Sequence, residues 1–371
     1  MMPFIDLVAQ QEALRGRLDE AVARVLDHGA YILGPEVFEL ESTLADMVGR
    51  RHCISCASGT DALQMFLMAK GVGPGDRVVV PDFTFVATAE AVRLVGADPV
   101  FADVDPITYT LDPLSVAEAW RLEGPDPVGV IAVDLFGHPA PTPTLEAVVA
   151  DLGAWVLVDA AQSFGAERDG RSSLADGLAA TTSFYPAKPL GCYGDGGAIF
   201  CDDDELAEVL RSVRVHGEGV NRYDHVRVGL TGRLDTIQAA VLLVKLEVFD
   251  HEVDLRQEVA ARYTELIASD GVATPVVADG CRSVWAQYTI RVDGREAIRQ
   301  ALAEAGVPTA VFYPQPLHRS SAYSSAPVVP DGAPVTERIT GRVVSLPMHP
   351  HLGETDQVRV VEALRTVLDS S

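Results

Sequence analysis

Lysine is nearly missing from this chain of 371 residues: Lys70, Lys188 and Lys245 are the only three. Positive charge is scarce altogether, with 29 Lys and Arg against 53 Asp and Glu and a formal net charge of -24. That field excludes nonspecific binding to nucleic acid or to an anionic membrane surface, since both need a basic face. A phosphate would have to be held by backbone amides, helix N-termini and a few placed arginines. Cysteine is sparse too, and five in so long a chain do not suggest a disulfide framework. Cys53 and Cys56 have the spacing of a redox or zinc pair, but no second pair follows, and their alternation with apolar residues suits a half-buried strand. No metal site is expected. No apolar run approaches the roughly 18 to 20 residues of a membrane span. The opening Met1-Met2-Pro3-Phe4-Ile5-Asp6 lacks the basic and apolar regions of a signal peptide. A cytoplasmic protein that does not enter membranes is expected.

What the chain does have is apolar material, 48% of its residues, enough for two domains. Short continuous apolar runs punctuate the first two thirds: Val78 to Val80, Pro99 to Ala102, Val130 to Val133, Trp155 to Val158 and Gly197 to Phe200. Their continuity predicts buried strands of a mainly parallel sheet with helices on both faces, an α/β fold. Ligands of such sheets sit at the carboxyl ends of the strands. Helices are predicted from Leu234 to Asp250 and from Val253 to Ile267. An alternating strand follows from Val284 to Val292, then helices from Arg295 to Ala305 and from Thr355 to Leu368. A large domain over 1–250 and a smaller α+β domain over 251–371 result. The stretch from Ser320 to Pro334, rich in Ser, Pro and Ala, is expected to be a mobile loop.

Three segments carry chemistry. Ser58-Gly59-Thr60-Asp61 precedes an apolar helical stretch, the composition of an anion-binding helix N-terminus or, taken alone, of an ordinary cap. Asp159 ends the run Val156-Leu157-Val158, where a buried carboxylate needs a partner. A protonated ring nitrogen would serve; capping of the next helix is the alternative. Lys188 lies between Ser183 and the glycine-rich Gly191 to Gly197. Lysine, unlike arginine, can lose its proton when desolvated and attack a carbonyl. In order, the segments supply a phosphate cradle with Ser183, a carboxylate for a pyridine nitrogen and an imine-forming lysine. Those parts match pyridoxal phosphate chemistry.

At these residues the sequence resembles the DegT/StrS sugar aminotransferases, fold-type I pyridoxal-phosphate enzymes. The likeness runs from Phe4-Ile5-Asp6-Leu7 through Tyr31 to Val37 and on to Ser345-Leu346-Pro347-Met348-His349-Pro350. It implies a large domain with a seven-stranded-type sheet and a small C-terminal domain. It further implies that Lys188 forms the internal aldimine and that Asp159 pairs with the pyridine nitrogen. Gln162 is placed near the phenolic oxygen, Phe85 on the ring, and Gly59, Thr60 and Ser183 on the phosphate. Relatives are dimers with shared sites, and Thr231, where most carry Asn, is the position that reaches the neighbour's phosphate. Tyr31, Arg233, Phe312, Tyr313 and His318 are implied to line the substrate, although Phe312 replaces a histidine of relatives.

The subgroup it is most similar to aminates C3 of a UDP-linked 3-oxo-N-acetylglucosaminuronic acid. The resemblance therefore implies transfer of an amino group, with L-glutamate as donor and pyridoxamine phosphate as the intermediate cofactor form. A 4-keto nucleotide sugar or keto-cyclitol acceptor is an alternative, as is a non-catalytic, cofactor-binding regulatory protein. Dehydratase relatives carry histidine at the lysine position, so Lys188 argues against that activity.

Overall fold

A computed structural model of the chain describes residues 2–221, 223–268 and 271–368. The apolar runs form one seven-stranded sheet. Across it lie His52–Cys56, Gly197–Cys201, Ala179–Ser183, Trp155–Asp159, Pro127–Val133, Arg77–Pro81 and Asp98–Ala102. Every neighbouring pair is parallel except the two that involve Gly197–Cys201. Side chains alternate between the faces, as strand geometry dictates. Val78, Val80, Ile131 and Leu157 pack on one face under the helices Gly59–Ala69, Ala87–Leu94 and Asp204–Val213. Val79, Val130, Ala132 and Val156 pack on the other, against residues such as Val116 and Leu145. Burial on both faces is why these runs are continuous rather than alternating.

The two helices expected between Leu234 and Ile267 are one, Thr236–Ile267, of 32 residues. No Pro or Gly interrupts it, so nothing breaks its hydrogen-bond ladder over about 48 Å. Its first half packs Ala239, Leu242 and Phe249 onto the sheet core. Val259, Ala260 and Tyr263 belong to a second core with Ile290, Leu302, Val344 and Val360. The division expected at residue 250 thus falls inside a helix, and we propose that the two units share it.

In the second unit Tyr288–Arg291 pairs antiparallel with Val343–Leu346, flanked by the helices Arg295–Glu304 and Glu354–Leu368. The strand is shorter than the alternation from Val284 suggests. Val284 gives its amide to Gly137 O at 3.0 Å, and Trp285 sits at φ 51°, so pairing starts only at Tyr288. The stretch expected to be a mobile loop is held against the sheet, with Tyr323, Ala326 and Val329 buried. Phe101 donates to Pro327 O at 2.9 Å and Val329 to Phe101 O at 3.0 Å, which covers the free edge of Asp98–Ala102.

All five cysteines are free, and burial pushes the Cys53 and Cys56 thiols up, as for small apolar residues of a core strand. Among the described residues no helix is long and apolar enough to cross a membrane.

His138, buried after the strand Pro127–Val133, accepts the Ala278 amide on Nε2 at 2.9 Å, so it must be neutral there. Burial lowers its pKa from 6.5 to about 4. The unfolded chain then binds the proton more tightly than the folded one. The stability this histidine contributes is present above pH 6.5 and is lost as the pH falls toward 4. By pH 5 the loss is expected to be about 2 kcal/mol. Urea midpoints at pH 7 and pH 5 should separate by clearly less in His138→Gln than in the parent.

Candidate active site

Sheet register brings the three predicted segments to one edge. Cys56 and Ser183 both face Gly197, and Asp159 pairs with Thr181, so the turn at Ser58, the end at Ser183 and Asp159 emerge side by side. Lys188 lies on the loop between the adjacent strands Ala179–Ser183 and Gly197–Cys201, returned toward the sheet by its amide on Tyr185 O at 2.9 Å.

The end expected to take the phosphate is a packed corner. Ser58 caps the helix Gly59–Ala69 by accepting the Asp61 amide at 3.0 Å. The cap reading of the segment holds, and the amides of Gly59 and Thr60 make no hydrogen bond among the described residues, which leaves them available to an anion. A Cβ at residue 59 would lie 2.7 Å from Ser183 Cβ, so only glycine lets the helix end meet the strand end. Gly59→Ala is expected to push that corner apart and weaken cofactor binding by about tenfold or more. Equilibrium titration with pyridoxal phosphate measures it.

Asp159 is 5% exposed and accepts the Thr88 hydroxyl at 2.9 Å and the Ala161 amide at 3.2 Å. Burial raises its carboxyl above the ordinary value, while Thr88, the Ala161 amide and the Lys188 charge pull it back. A carboxylate so placed calls for a cationic partner. Burial likewise lowers the Lys188 ammonium, against the opposing pull of Asp159. Lys245 differs: its Nζ donates to Gly191 O at 2.6 Å and sits 4.2 Å over the Tyr193 ring, bracing the glycine-rich loop. Lys70 is exposed at the end of its helix. Of the three lysines, Lys188 alone adjoins a buried carboxylate with its amine uncommitted among the described residues.

Gln162 is fixed at both ends of its amide. Its Oε1 accepts the Phe136 amide at 2.7 Å and its Nε2 donates to the Tyr313 hydroxyl at 3.1 Å. Tyr313 packs edge-on to Phe83, and Phe85, half exposed, lies 6.0 Å from it centroid to centroid. Phe312 finds an apolar partner in Phe4, at 6.3 Å centroid to centroid. His318 is committed to the buried Asp82 through its amide at 2.9 Å and Nδ1 at 2.6 Å. Tyr31 is half exposed beside the Ile32–Asp235 bridge, and Arg233 has a buried Nε without a partner among the described residues. Thr231 is exposed, its hydroxyl 2.9 Å from His216 Nε2.

Sequence reasoning missed Thr88, the second residue of the helix Ala87–Leu94, whose hydroxyl also lies 3.4 Å from that of Thr84. It also missed the Phe136 amide, whose role depends on a turn 26 residues before Gln162.

The family model for the DegT/DnrJ/EryC1/StrS aminotransferases matches residues 12–365. The chain belongs to that family. It is 50% identical over 366 residues to the UDP-2-acetamido-2-deoxy-3-oxo-D-glucuronate aminotransferase of Pseudomonas aeruginosa, covering 99% of this chain and 100% of that one. It is 40% identical to a pleiotropic regulatory protein of Geobacillus stearothermophilus, covering 98% and 97% of the two chains. A crystal structure of a DegT DnrJ EryC1 StrS aminotransferase from Brucella abortus superposes with a TM-score of 0.97 at 48% identity, covering 99% of both chains.

The mostly parallel sheet of this aminotransferase is the fold-type I arrangement. Its family implies pyridoxal phosphate, and the residues fit that group. Among the described residues the Gly59 and Thr60 amides and the Lys188 amine have no hydrogen-bond partner, and Asp159 is a buried carboxylate.

Proposed function

We propose that this chain is a pyridoxal-phosphate-dependent sugar aminotransferase that moves an amino group from an amino acid, L-glutamate in the first instance, to C3 of a UDP-linked 3-oxo-N-acetylhexosaminuronate. The observation that carries the reading is Lys188, an amine lowered by burial beside the buried carboxylate Asp159. The acceptor follows from the Pseudomonas aeruginosa relative, similar from end to end. Arg233, with its buried Nε unpaired among the described residues, suits the sugar carboxylate.

When bound, the cofactor supplies an electron sink for charge that develops at the substrate carbon. Gly59, Thr60 and Ser183 would hold its phosphate, Asp159 its ring nitrogen, and Phe85 its face. Gln162, locked by Phe136 and Tyr313, presents a fixed amide near its phenolic oxygen. As a neutral amine, Lys188 Nζ takes a proton from the α-carbon of the donor and, in the second half, returns one to the sugar carbon. Tyr31, Phe312, Tyr313 and His318 bound the acceptor side, with Asp82 orienting His318.

The working form is a cytoplasmic homodimer. Val220 and Val228, 99% and 82% exposed on the arm between His216 and Thr231, are apolar surface for a second copy to cover. Thr231, its hydroxyl 2.9 Å from His216 Nε2, would then reach toward the neighbour's phosphate.

Protein loaded with pyridoxal phosphate should absorb in the visible and lose that band on adding L-glutamate. Mass spectrometry across UDP-3-oxo-uronate, 4-keto nucleotide sugar and keto-cyclitol acceptors should find product with the first. Product from another acceptor would overturn the sugar assignment, and no response to any amino donor would leave the regulatory reading.

A further inference from the structure

The phosphate corner and the segment that carries Arg233 are joined beneath the surface by a buried ion pair. Glu41, from the helix Pro35–Val48, and Arg214, at the end of Asp204–Val213, are 9% and 4% exposed. Glu41 Oε1 accepts the Ser55 amide at 2.9 Å, the Ser55 hydroxyl at 2.6 Å and Arg214 Nη1. The same Nη1 donates to Ser55 O at 3.0 Å. The backbone continues the chain: Arg214 O accepts the Gly232 amide at 3.0 Å, and Gly232 O accepts the Ala57 amide at 3.1 Å. The ladder Ser55, Arg214, Gly232, Ala57 ends one residue before Ser58 on one side and one residue before Arg233 on the other.

We propose that Glu41 and Arg214 are positioning residues that set the Ser58–Thr60 turn and the Thr231–Arg233 segment relative to each other. The pair would thereby govern both cofactor affinity and recognition of the anionic acceptor. Stability alone does not explain it, because a buried pair costs desolvation that a well-packed apolar replacement avoids. What the pair supplies is direction: one carboxylate oxygen gathers two strand donors and an arginine whose own carbonyl holds the second segment.

The inference rests on the cofactor site assigned above. Glu41→Gln keeps the shape and removes the charge. It is expected to raise the Kd for pyridoxal phosphate and the KM for the keto-sugar acceptor together, each by about 10- to 100-fold. Asp202→Asn is the control. It breaks the pair with buried Arg50 at the opposite end of the strand His52–Cys56, and should lower Tm with Kd and KM unchanged. The double variant Glu41→Leu with Arg214→Met should recover Tm but not Kd or KM. Overturning results are a Glu41→Gln protein that loses only Tm, or a double variant that recovers all three. A parent protein that binds no cofactor in the same titration would overturn the site assignment itself, and this inference with it.

Discussion

Lys188→Ala is expected to abolish amino transfer, by at least about 10³-fold, while the protein keeps its fold. The separation follows from what the amine touches. Lys188 Nζ is perturbed only by burial and by the charge of Asp159, with no hydrogen bond to a described residue, so truncation removes no structural tie. Burial of the charged form is unfavourable, so the cofactor-free variant should be at least as stable as the parent. Lys245→Met is the counterpart: it loses the bond to Gly191 O and the stacking on Tyr193, and should lower Tm without touching the chemistry directly. Parallel assays of turnover with L-glutamate and of Tm for the two variants check the contrast.

Asp159→Asn is expected to lower turnover by about 10²- to 10³-fold, or about 3–4 kcal/mol of lost transition-state stabilisation. The amide keeps the shape and can still accept from Thr88, but it offers no charge to a ring nitrogen. Stability should move the other way. Burial raises the Asp159 carboxyl above its ordinary value, so the folded state binds the proton more tightly than the unfolded one. At neutral pH the ionised carboxylate therefore opposes folding of the cofactor-free protein, and asparagine relieves that cost. Turnover falls while the cofactor-free Tm stays level or rises. A fall in both would show Asp159 to be structural.

Much of this could be read from local pattern. The strand runs, the cap at Ser58, Asp159 at a strand end and the Lys188 loop are all written in stretches of under ten residues, where periodicity and burial act directly. Less legible were features set by partners far along the chain. The bend at Ser283 to Trp285 depends on Gly137, and the pinning of Pro327 and Val329 depends on the open edge at Phe101. Thr88 takes its meaning from Asp159, 71 residues away, and Glu41 from Arg214, 173 residues away. The long helix was split in reading because its apolar face turns from one core to another near Val253, which looks like an end although nothing breaks the backbone.

The central claim is that Lys188 and Asp159 make this chain an aminotransferase for a nucleotide-linked keto sugar. Incubation of the holoenzyme with isotopically labelled L-glutamate and a UDP-3-oxo-N-acetylhexosaminuronate, followed by mass spectrometry of the sugar, tests it most directly. The parent protein is expected to yield an amino sugar that carries the labelled nitrogen, and Lys188→Ala none. Unchanged keto sugar with the parent, or labelled product from Lys188→Ala at the parent rate, would contradict it.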